Sequence, residues 1–387
     1  MSLESGPAAN DEVRRRNTAL VMRLLRDSGA LSRSDLARRS GLAKATVGTI
    51  IAQLQRVGAV ADGTAEVIGR GRPSTPVALT GQSLAGLGIE VNVDYVATTA
   101  LDLAGRRLSF RERTINRPQM ADVVPLVHEE VAGLEARGVT VLGLTVAVPG
   151  LIDRVRGVVV EAPNLGWTDV DLASSLRAEL DGRIEVAVDN DANCAARAES
   201  LHGVAAGVSD FVYLTGTVGL GAGIVHGGEV LRGSHGLAGE VGHQRLGTDA
   251  HLCACGRTGC WEAAVGLRAL EQATQVPVTA GEDPVSYAER LAAIPGTYRA
   301  LADVGASLGR GVAQLAATLD PAMVVLGGSF VPLGEVMVPA VEKALSASFT
   351  GRGCAVALST LGLHAASVGA AVDALDDVYA GRRTLIA

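Results

Sequence analysis

Residues 237–243 read Leu-Ala-Gly-Glu-Val-Gly-His, and residues 253–262 read Cys-Ala-Cys-Gly-Arg-Thr-Gly-Cys-Trp-Glu. Three cysteines close together and a histidine ten residues upstream supply the three sulfur ligands and one nitrogen ligand of a tetrahedral zinc ion. The predicted ligands are His243, Cys253, Cys255 and Cys260. His251 is an alternative fourth ligand, although its closeness to Cys253 makes it awkward. Redox-active or buried structural cysteines are the alternative to a metal site.

A second polar cluster precedes this stretch in the chain. Residues 185–188 form a predicted strand, residues 189–193 read Asp-Asn-Asp-Ala-Asn, and a helix is predicted from residue 195. Asn and Asp side chains at the carboxyl end of a strand are well placed to hydrogen-bond vicinal hydroxyl groups. An N-cap is the alternative interpretation, and it explains one of these residues but not four.

Together these motifs resemble the ROK family of repressors and sugar kinases, a branch of the actin-like sugar kinases, over essentially all of residues 12–387. The resemblance implies an α/β body with two lobes and a sugar in the cleft between them. The implied sugar-binding residues are Gly150, Asn164, Asn190, Asp191, Glu240, His243 and Glu262. In such a site His243 would bind zinc through one ring nitrogen and face the sugar with the other. The residue matching Asp191 is the general base of the kinases.

The two turns that hold nucleotide phosphate in such kinases are altered here. In the first turn, Glu90 replaces an Asp, and Asn92 and Val93 replace two glycines. In the second, Thr217 and Val218 stand where Gly and Thr belong, and Val has no hydroxyl group to offer a phosphate. We therefore predict that the protein is not an enzyme and has no catalytic residue. Asp191 would be the base if the chain were instead an ATP-dependent sugar kinase or a bifunctional regulator.

The charge of the 387 residues is unevenly distributed. The whole chain has a formal net charge of −7, whereas residues 1–80 carry 12 bases and 7 acids and the remainder carries 22 bases and 34 acids. A basic head on an acidic body indicates two parts with different partners, although a solvated helix surface gives the same pattern.

The basic head has the pattern of a winged helix-turn-helix. Two short helices flank a turn at Gly41, and a two-stranded wing is predicted around Val60 and around Val67 and Ile68. The residues 69–73 read Gly-Arg-Gly-Arg-Pro, which suits insertion into a narrow minor groove; a flexible basic linker is the alternative. The predicted DNA-binding residues are Arg33, Ser34, Lys44, Ala45, Thr46, Thr49, Arg70 and Arg72.

These observations predict three structural units. Residues 1–80 form the winged helix-turn-helix domain with an Arg-rich linker at 69–76. Residues 81–199 with 366–387 form the first lobe, and residues 200–365 form the second lobe with the zinc site.

The predicted function is that of a sugar-responsive transcriptional regulator, a repressor of carbohydrate-utilisation genes that a sugar in the cleft between the lobes releases from double-stranded operator DNA. We expect a homodimer, or a tetramer, because paired heads read two half-sites. The first residues lack an apolar signal segment and the apolar runs are too short for a membrane span, which predicts a cytoplasmic protein without a membrane partner. A phosphorylated sugar or a partner protein as the effector, and an activator in place of a repressor, remain alternatives.

Overall fold

The structure is a computed structural model that describes residues 7–63, 75–81, 83–247, 252–348 and 353–385. The head begins with the helices α1 (Pro7–Ser28), α2 (Arg33–Ser40) and α3 (Lys44–Arg56). Helix α2 begins after Ser32 because the Ser32 side chain accepts a hydrogen bond from the Asp35 amide (3.0 Å). The buried face of α3 is the one that helical spacing predicts: Val47, Ile50, Ile51 and Leu54.

A three-stranded sheet completes the head. It consists of β1 (Leu31–Ser32), β2 (Val60–Asp62) and β3 (Pro76–Leu79), in the order β1-β3-β2. The wing is therefore the β2–β3 hairpin, and Pro76, which the sequence analysis assigned to the linker, instead begins a strand. A proline fits at this first position because its missing N–H is not needed there. Val67 and Ile68 lie outside the described residues.

The first lobe is built on a five-stranded sheet in the order β11-β7-β4-β5-β6, in which β4 and β5 form an antiparallel hairpin. Helices α4 and α5 belong to this part of the chain, and a small three-stranded sheet, β10-β9-β8, lies beside them. The elements are β4 (Leu84–Val91), β5 (Tyr95–Asp102), β6 (Arg107–Thr114), α4 (Met120–Glu135), β7 (Thr140–Val148), β8 (Leu151–Asp153), β9 (Val158–Ala162), β10 (Trp167–Asp171), α5 (Leu172–Glu179), β11 (Val186–Asn190) and α6 (Asp191–His202).

The second lobe has its own five-stranded sheet, in the order β14-β13-β12-β15-β16, and a separate hydrophobic core. Its elements are β12 (Phe211–Gly216), β13 (Leu220–His226), β14 (Glu229–Val230), α7 (Glu262–Val265), α8 (Leu267–Thr274), α9 (Pro284–Ala293), α10 (Tyr298–Leu319), β15 (Met323–Gly328), α11 (Gly334–Ala347) and β16 (Ala355–Leu358). Two sheets with separate cores are the arrangement expected of a two-lobed body.

The chain ends with α12 (Ala365–Asp373) and α13 (Asp376–Tyr379). Helix α12 lies directly on the first-lobe sheet, because Gly88 has no side chain that would meet the Ser367 carbonyl. Helix α13 then continues to the head: Val378 and Tyr379 share one hydrophobic core with residues of α1 such as Met22. The head is thus packed on the body, with the end of the chain between them.

Candidate metal centre and sugar cleft

The cysteine-rich segment folds back on itself with the help of two glycines. Gly256 and Gly259 have φ angles of +80° and +78°, which residues with a side chain rarely adopt. The Cys253 amide donates a hydrogen bond to the Arg257 carbonyl (2.8 Å), and Arg245 pairs with Cys260 in an isolated β-bridge. These turns bring three cysteines that are separated in sequence to one side of the loop.

The four predicted metal ligands form one cluster. The ligand atoms of His243, Cys253, Cys255 and Cys260 all lie within 4.8 Å of one another. The Cys255 and Cys260 sulfurs are 3.7 Å apart, and the Cys253 sulfur is 3.7 Å from His243 Nδ1. In tetrahedral zinc sites with bonds of about 2.3 Å to sulfur, neighbouring ligand atoms are about 3.8 Å apart, so the cluster fits a metal ion. His251 lies outside the described residues.

The orientation of His243 joins this cluster to a cleft between the lobes. Its Nδ1 atom faces the cysteines, whereas its Nε2 atom is 3.9 Å from a carboxylate oxygen of Glu240. The Cys253 sulfur also lies 3.3 Å from a carboxylate oxygen of Glu262. A metal ion on Nδ1 would therefore fix the imidazole ring with its other nitrogen toward the cleft.

Every residue that the sequence analysis assigned to the sugar lines this one cleft. They are Gly150, Asn164, Asn190, Asp191, Glu240, His243 and Glu262. The cleft is also lined by Asn193 and Thr217, which the sequence analysis did not assign to the sugar. The structure thus brings together residues from β11, α6, both lobes and the cysteine-rich loop.

The Asp189–Asn193 segment takes part in helix formation and capping to a greater extent than the sequence analysis predicted. Helix α6 begins at Asp191, not at Ala195. Asn190 is its N-cap, with its side-chain oxygen accepting from the amides of Ala192 (2.9 Å) and Asn193 (3.2 Å). The Asn190 amide group donates to the Gly150 carbonyl (3.1 Å), so Asn190 also fixes a second wall of the cleft.

Burial makes two carboxyl groups in the cleft, those of Asp191 and Glu240, weaker acids than is usual for their type. Burial raises the pKa of Asp191 to about 6, and burial together with the nearby charges of Asp191 and Glu262 raises the pKa of Glu240 to about 7. Near neutral pH such groups accept hydrogen bonds from sugar hydroxyls and can also donate when protonated.

The hairpin turn after β4 bonds to itself and to α12. The buried Glu90 side chain accepts a hydrogen bond from the Tyr95 hydroxyl (2.5 Å) and another from the Ser367 amide (3.2 Å). The Val93 amide, which belongs to the turn, donates to the Asn92 side-chain oxygen (2.7 Å). Burial raises the pKa of Glu90 to about 7. The polar side chains at this turn are thus hydrogen-bonded within the protein.

The turn between β12 and β13 is similarly engaged. The Leu220 amide donates to a Glu262 carboxylate oxygen (3.3 Å), and a side chain at Gly219 would collide with the same carboxylate. Packing requires glycine at Gly327 and Gly328, which end β15, because side chains there would meet the Tyr213 ring and the Gly216 carbonyl. We refer below to residues 90–95 and 217–220, which comprise each turn and its adjoining strand ends, as the two hairpin turns.

Comparison with known proteins decides the family. The profile described as "ROK family" matches residues 86–376, well over half of the chain. This chain belongs to the ROK family. A solved ROK family transcriptional regulator, described as a homolog of the E. coli MLC protein, superposes with a TM-score of 0.80 at 25% identity over 96% of this chain and 98% of its own. The predicted family and two-lobed fold are therefore confirmed.

Other ROK proteins fall into two groups by coverage. The xylose repressor of Bacillus subtilis is 28% identical over 92% of this chain and 94% of its own length. The glucokinase of Streptomyces coelicolor is 30% identical over 66% of this chain and 86% of its own length. The solved ROK glucokinase of Streptomyces griseus, in complex with glucose and AMPPNP, has a TM-score of 0.63 and covers 76% of this chain and 99% of its own. The chain thus resembles repressors along nearly its whole length and kinases over a shorter part.

The predicted DNA-binding residues of this ROK protein that the structure describes lie on α2 and α3. Lys44, Ala45 and Thr49 are exposed at the start of α3, and Thr46 is half-buried beside them. Ser34 is exposed on α2. The Arg33 guanidinium donates to Asp62 in β2 (2.9 Å) and so ties α2 to the wing. Arg70 and Arg72 lie outside the described residues.

One charged cluster behind the cleft was not predicted from the sequence. Arg154 and Arg232 both bond to Asp189, and both approach Asp373 at the end of α12. No motif marks these residues. An acid at the end of an otherwise apolar helix, such as Asp373 after Ala-Ala-Ser-Val-Gly-Ala-Ala-Val, is the one sequence signal that could have predicted a buried partner.

In the described part of the chain, no helix is both long and apolar enough to cross a membrane.

Proposed function

We propose that this ROK protein is a sugar-responsive transcriptional repressor. The observation that supports it best is the convergence of seven predicted sugar-facing residues on one cleft that is backed by the His/Cys cluster. The head on the same chain exposes the first turn of α3, whose short side chains suit contacts with base edges in the major groove. Similarity to xylose repressors over nearly the whole chain supports the same function.

The cleft would bind an aldose through its hydroxyl groups. Asp191 and Glu240 would accept hydrogen bonds from vicinal hydroxyls, with Asn164, Asn190, His243 and Glu262 around them. Gly150 would line the same cleft with its backbone, because a side chain there would collide with the Glu161 carbonyl. The metal would be zinc, held by the His/Cys cluster, because three thiolates and one imidazole are ligands that zinc prefers. Bound zinc would fix the His243 ring and so support sugar recognition without taking part in a reaction.

The DNA complex would contain two subunits. A homodimer, or a tetramer made from two such dimers, would place two α3 helices in successive major grooves of a palindromic operator. Arg70 and Arg72 would enter the minor groove beside them, where closely spaced phosphates concentrate negative potential. The acidic body would stay away from the DNA backbone because its charge has the same sign as the phosphates.

Sugar binding would release the operator by favouring a second arrangement of the lobes and heads. A sugar can shift this equilibrium only as far as it binds the DNA-released form more tightly than the DNA-bound form. We infer that the protein acts in the cytoplasm, because a metabolic sugar and operator DNA are both available there.

We further propose that the protein does not phosphorylate its sugar. Both hairpin turns depart from the kinase pattern that the sequence resemblance implies, and the Asn92 side chain already bonds the Val93 amide. Phosphoryl transfer depends on positioned phosphate and magnesium, so Asp191 alone would add little rate. A ROK sugar kinase, alone or combined with repression, is the second candidate because the solved family glucokinase shares the fold.

The test combines a melting-temperature screen with DNA binding. Purified protein is melted with D-xylose, D-glucose, N-acetyl-D-glucosamine and their phosphate esters, since a ligand of the folded state raises the melting temperature. Duplexes enriched from a random library by the protein then serve as operators. We expect one free sugar to raise the melting temperature and to weaken operator binding, and we expect Asp191→Asn to weaken sugar binding about tenfold or more through loss of a charged acceptor.

The matched control is Asp303→Asn, which removes an exposed carboxylate on α10 far in sequence from the cleft residues. Response to a phosphate ester alone would identify a phosphorylated effector, and tighter operator binding with sugar would contradict sugar-induced release. Sugar-dependent ATP consumption by the wild type that Asp191→Asn abolishes would establish the kinase. Failure to enrich any duplex would overturn the proposal.

A further inference from the structure

The charged cluster behind the cleft joins parts of the protein that are distant in sequence. Arg154 follows β8 in the first lobe, Asp189 lies near the end of β11, Arg232 follows β14 in the second lobe, and Asp373 ends α12. Both carboxylates are buried, with side chains 4% and 3% exposed, while the two guanidinium groups are about 30% exposed. Two positive and two negative charges thus meet where both lobes and the C-terminal helix come together.

The contacts within the cluster are close. Arg154 donates to Asp189 (2.9 Å) and, through its other terminal nitrogen, to both oxygens of Asp373 (2.9 and 2.8 Å). Arg232 donates to the same oxygen of Asp189 through Nε (2.8 Å), and a terminal nitrogen of Arg232 lies 3.7 Å from Asp373. Thr145 on β7 adds a hydrogen bond to Asp373 (3.0 Å). Arg232 is the member that reaches across from the second lobe.

At one end, this cluster is hydrogen-bonded to residues that line the cleft. The carboxylate oxygen of Asp189 that is not bonded to the arginines accepts a hydrogen bond from the Asn190 backbone amide (2.9 Å) and another from the Asn193 side chain (3.4 Å). Asn190 and Asn193 both line the cleft, and Asp191 lies between them. A displacement of Asp189 would therefore move the strand end on which the proposed sugar contacts sit.

The other end leads to the head. Beyond Asp373, Asp376 at the start of α13 pairs with Arg197 of α6 (2.6 Å). The Tyr379 carbonyl accepts from Arg23 of α1 (2.7 Å), and the Arg26 guanidinium stacks over the Tyr379 ring at 4.7 Å. Helix α12 and helix α13 are separated by two residues, so a shift at Asp373 is passed to the surface on which α1 rests.

Stability alone is a poor reason for such a cluster. Burying charges costs hydration free energy that their pairing only partly returns, and apolar residues of similar size often stabilise a protein as well or better. A cluster that includes one arginine from the second lobe is, in contrast, sensitive to the position of the lobes. Charge-assisted hydrogen bonds are strong and geometrically specific, so they weaken when their partners move apart.

We propose that the Arg154–Asp189–Arg232–Asp373 cluster couples the cleft to the DNA-binding head, with Arg232 as the contact that lobe movement makes or breaks. The inference rests on the proposed function. Sugar in the cleft repositions Arg232 relative to Asp189 and Asp373. The movement of Asp373 displaces α12 and α13, and α13 in turn changes the surface on which α1 packs. Arg232 is a positioning residue in this scheme because it acts through Asp189 and Asp373.

The experiment compares wild type with Arg232→Gln and Arg232→Lys. Each protein is titrated with an enriched operator duplex, with and without D-xylose, D-glucose or N-acetyl-D-glucosamine, and each sugar is titrated without DNA. In the wild type we expect sugar to weaken operator binding about tenfold or more, a usual coupling factor. In Arg232→Gln we expect that factor to fall close to one while binding of sugar alone and DNA alone is retained. Arg232→Lys, which keeps the charge but loses the fork of donors, should give an intermediate factor.

The matched control is Arg156→Gln, which removes a largely exposed arginine from the turn that also carries Arg154. Hydrogen exchange provides a second readout: sugar should change exchange of residues 376–379 in the wild type and in the control, and leave it unchanged in Arg232→Gln. Full sugar response in a folded Arg232→Gln protein overturns the coupling inference alone. A wild type without sugar or operator binding overturns the proposed function as well.

Discussion

The seven predicted sugar-facing residues and the two hairpin turns lie on the same two-lobed scaffold but use their polar groups differently. Around the cleft, Asp191, Glu240 and the Nε2 side of His243 converge on shared space. At the first hairpin turn, Glu90 is bonded to Tyr95 and to α12, and Asn92 is bonded to Val93. The difference teaches that one fold can direct polar side chains at a shared cavity in one place and bond them to the protein itself in another.

The metal cluster gives the largest expected effect on this comparison. Cys255→Ser should lower the metal content and weaken sugar binding about 100-fold, because His243 loses the ion that fixes its ring. Native mass spectrometry measures the metal, and calorimetry measures the sugar affinity. Cys354→Ser is the matched control, since that partly exposed thiol lies outside the cluster. A metal-free Cys255→Ser protein with the wild-type sugar affinity would separate the metal from the cleft.

Glu90 provides a test of the turn that is bonded to the protein. Its folded-state pKa of about 7 lies above the ordinary value of 4.5, so the folded state binds more protons than the unfolded state between these values. The free energy of unfolding therefore falls as pH rises through this window, and the loss is complete above about pH 7. Glu90→Gln removes this titration and should be more stable than the wild type by about 3 kcal/mol at about pH 8, with the difference closing near pH 4.

Urea unfolding across that pH range measures the effect. Glu161→Gln, which changes an exposed acid on β9, is the control and should leave the pH profile unchanged. A parallel pair of profiles for Glu90→Gln and wild type would mean that Glu90 is not an ionising group held within the protein.

Restoring kinase residues to the hairpin turns should have the smallest effect. Asn92→Gly, Val93→Gly and Val218→Thr together restore three residues of the kinase pattern, but Glu90 remains bonded to Tyr95 and Ser367. We expect no sugar-dependent ATP consumption above background in a coupled assay, with a ROK glucokinase as the positive control. Turnover that appears in the triple variant would show that only these three side chains separate the two activities.

Local patterns predicted the short helices of the head and the meeting of one His and three Cys side chains, because both depend on short-range spacing. Ser32 caps α2, the apolar face of α3 is buried, and the four ligands meet as their sequence spacing implies. The start of α6 was predicted four residues late, because the capping role of Asn190 was assigned to a sugar ligand instead. The Arg154 and Arg232 contacts could not be predicted, since they join residues 35 to 219 positions apart through the packing of whole lobes. The position of β3 depended on the length of the wing, which no local signal sets.

The seat of the head on α13 has a practical consequence for exchanging modules between regulators. The Tyr379 hydroxyl donates to the Leu103 carbonyl (2.5 Å) while the Tyr379 carbonyl accepts from Arg23, so one residue near the end of the chain fastens the head and the first lobe together. A chimera that joins this head to a foreign body at residue 80 would leave its apolar underside facing a surface that did not evolve with it. The transferable unit is the head together with the last two helices, two pieces from opposite ends of the polypeptide.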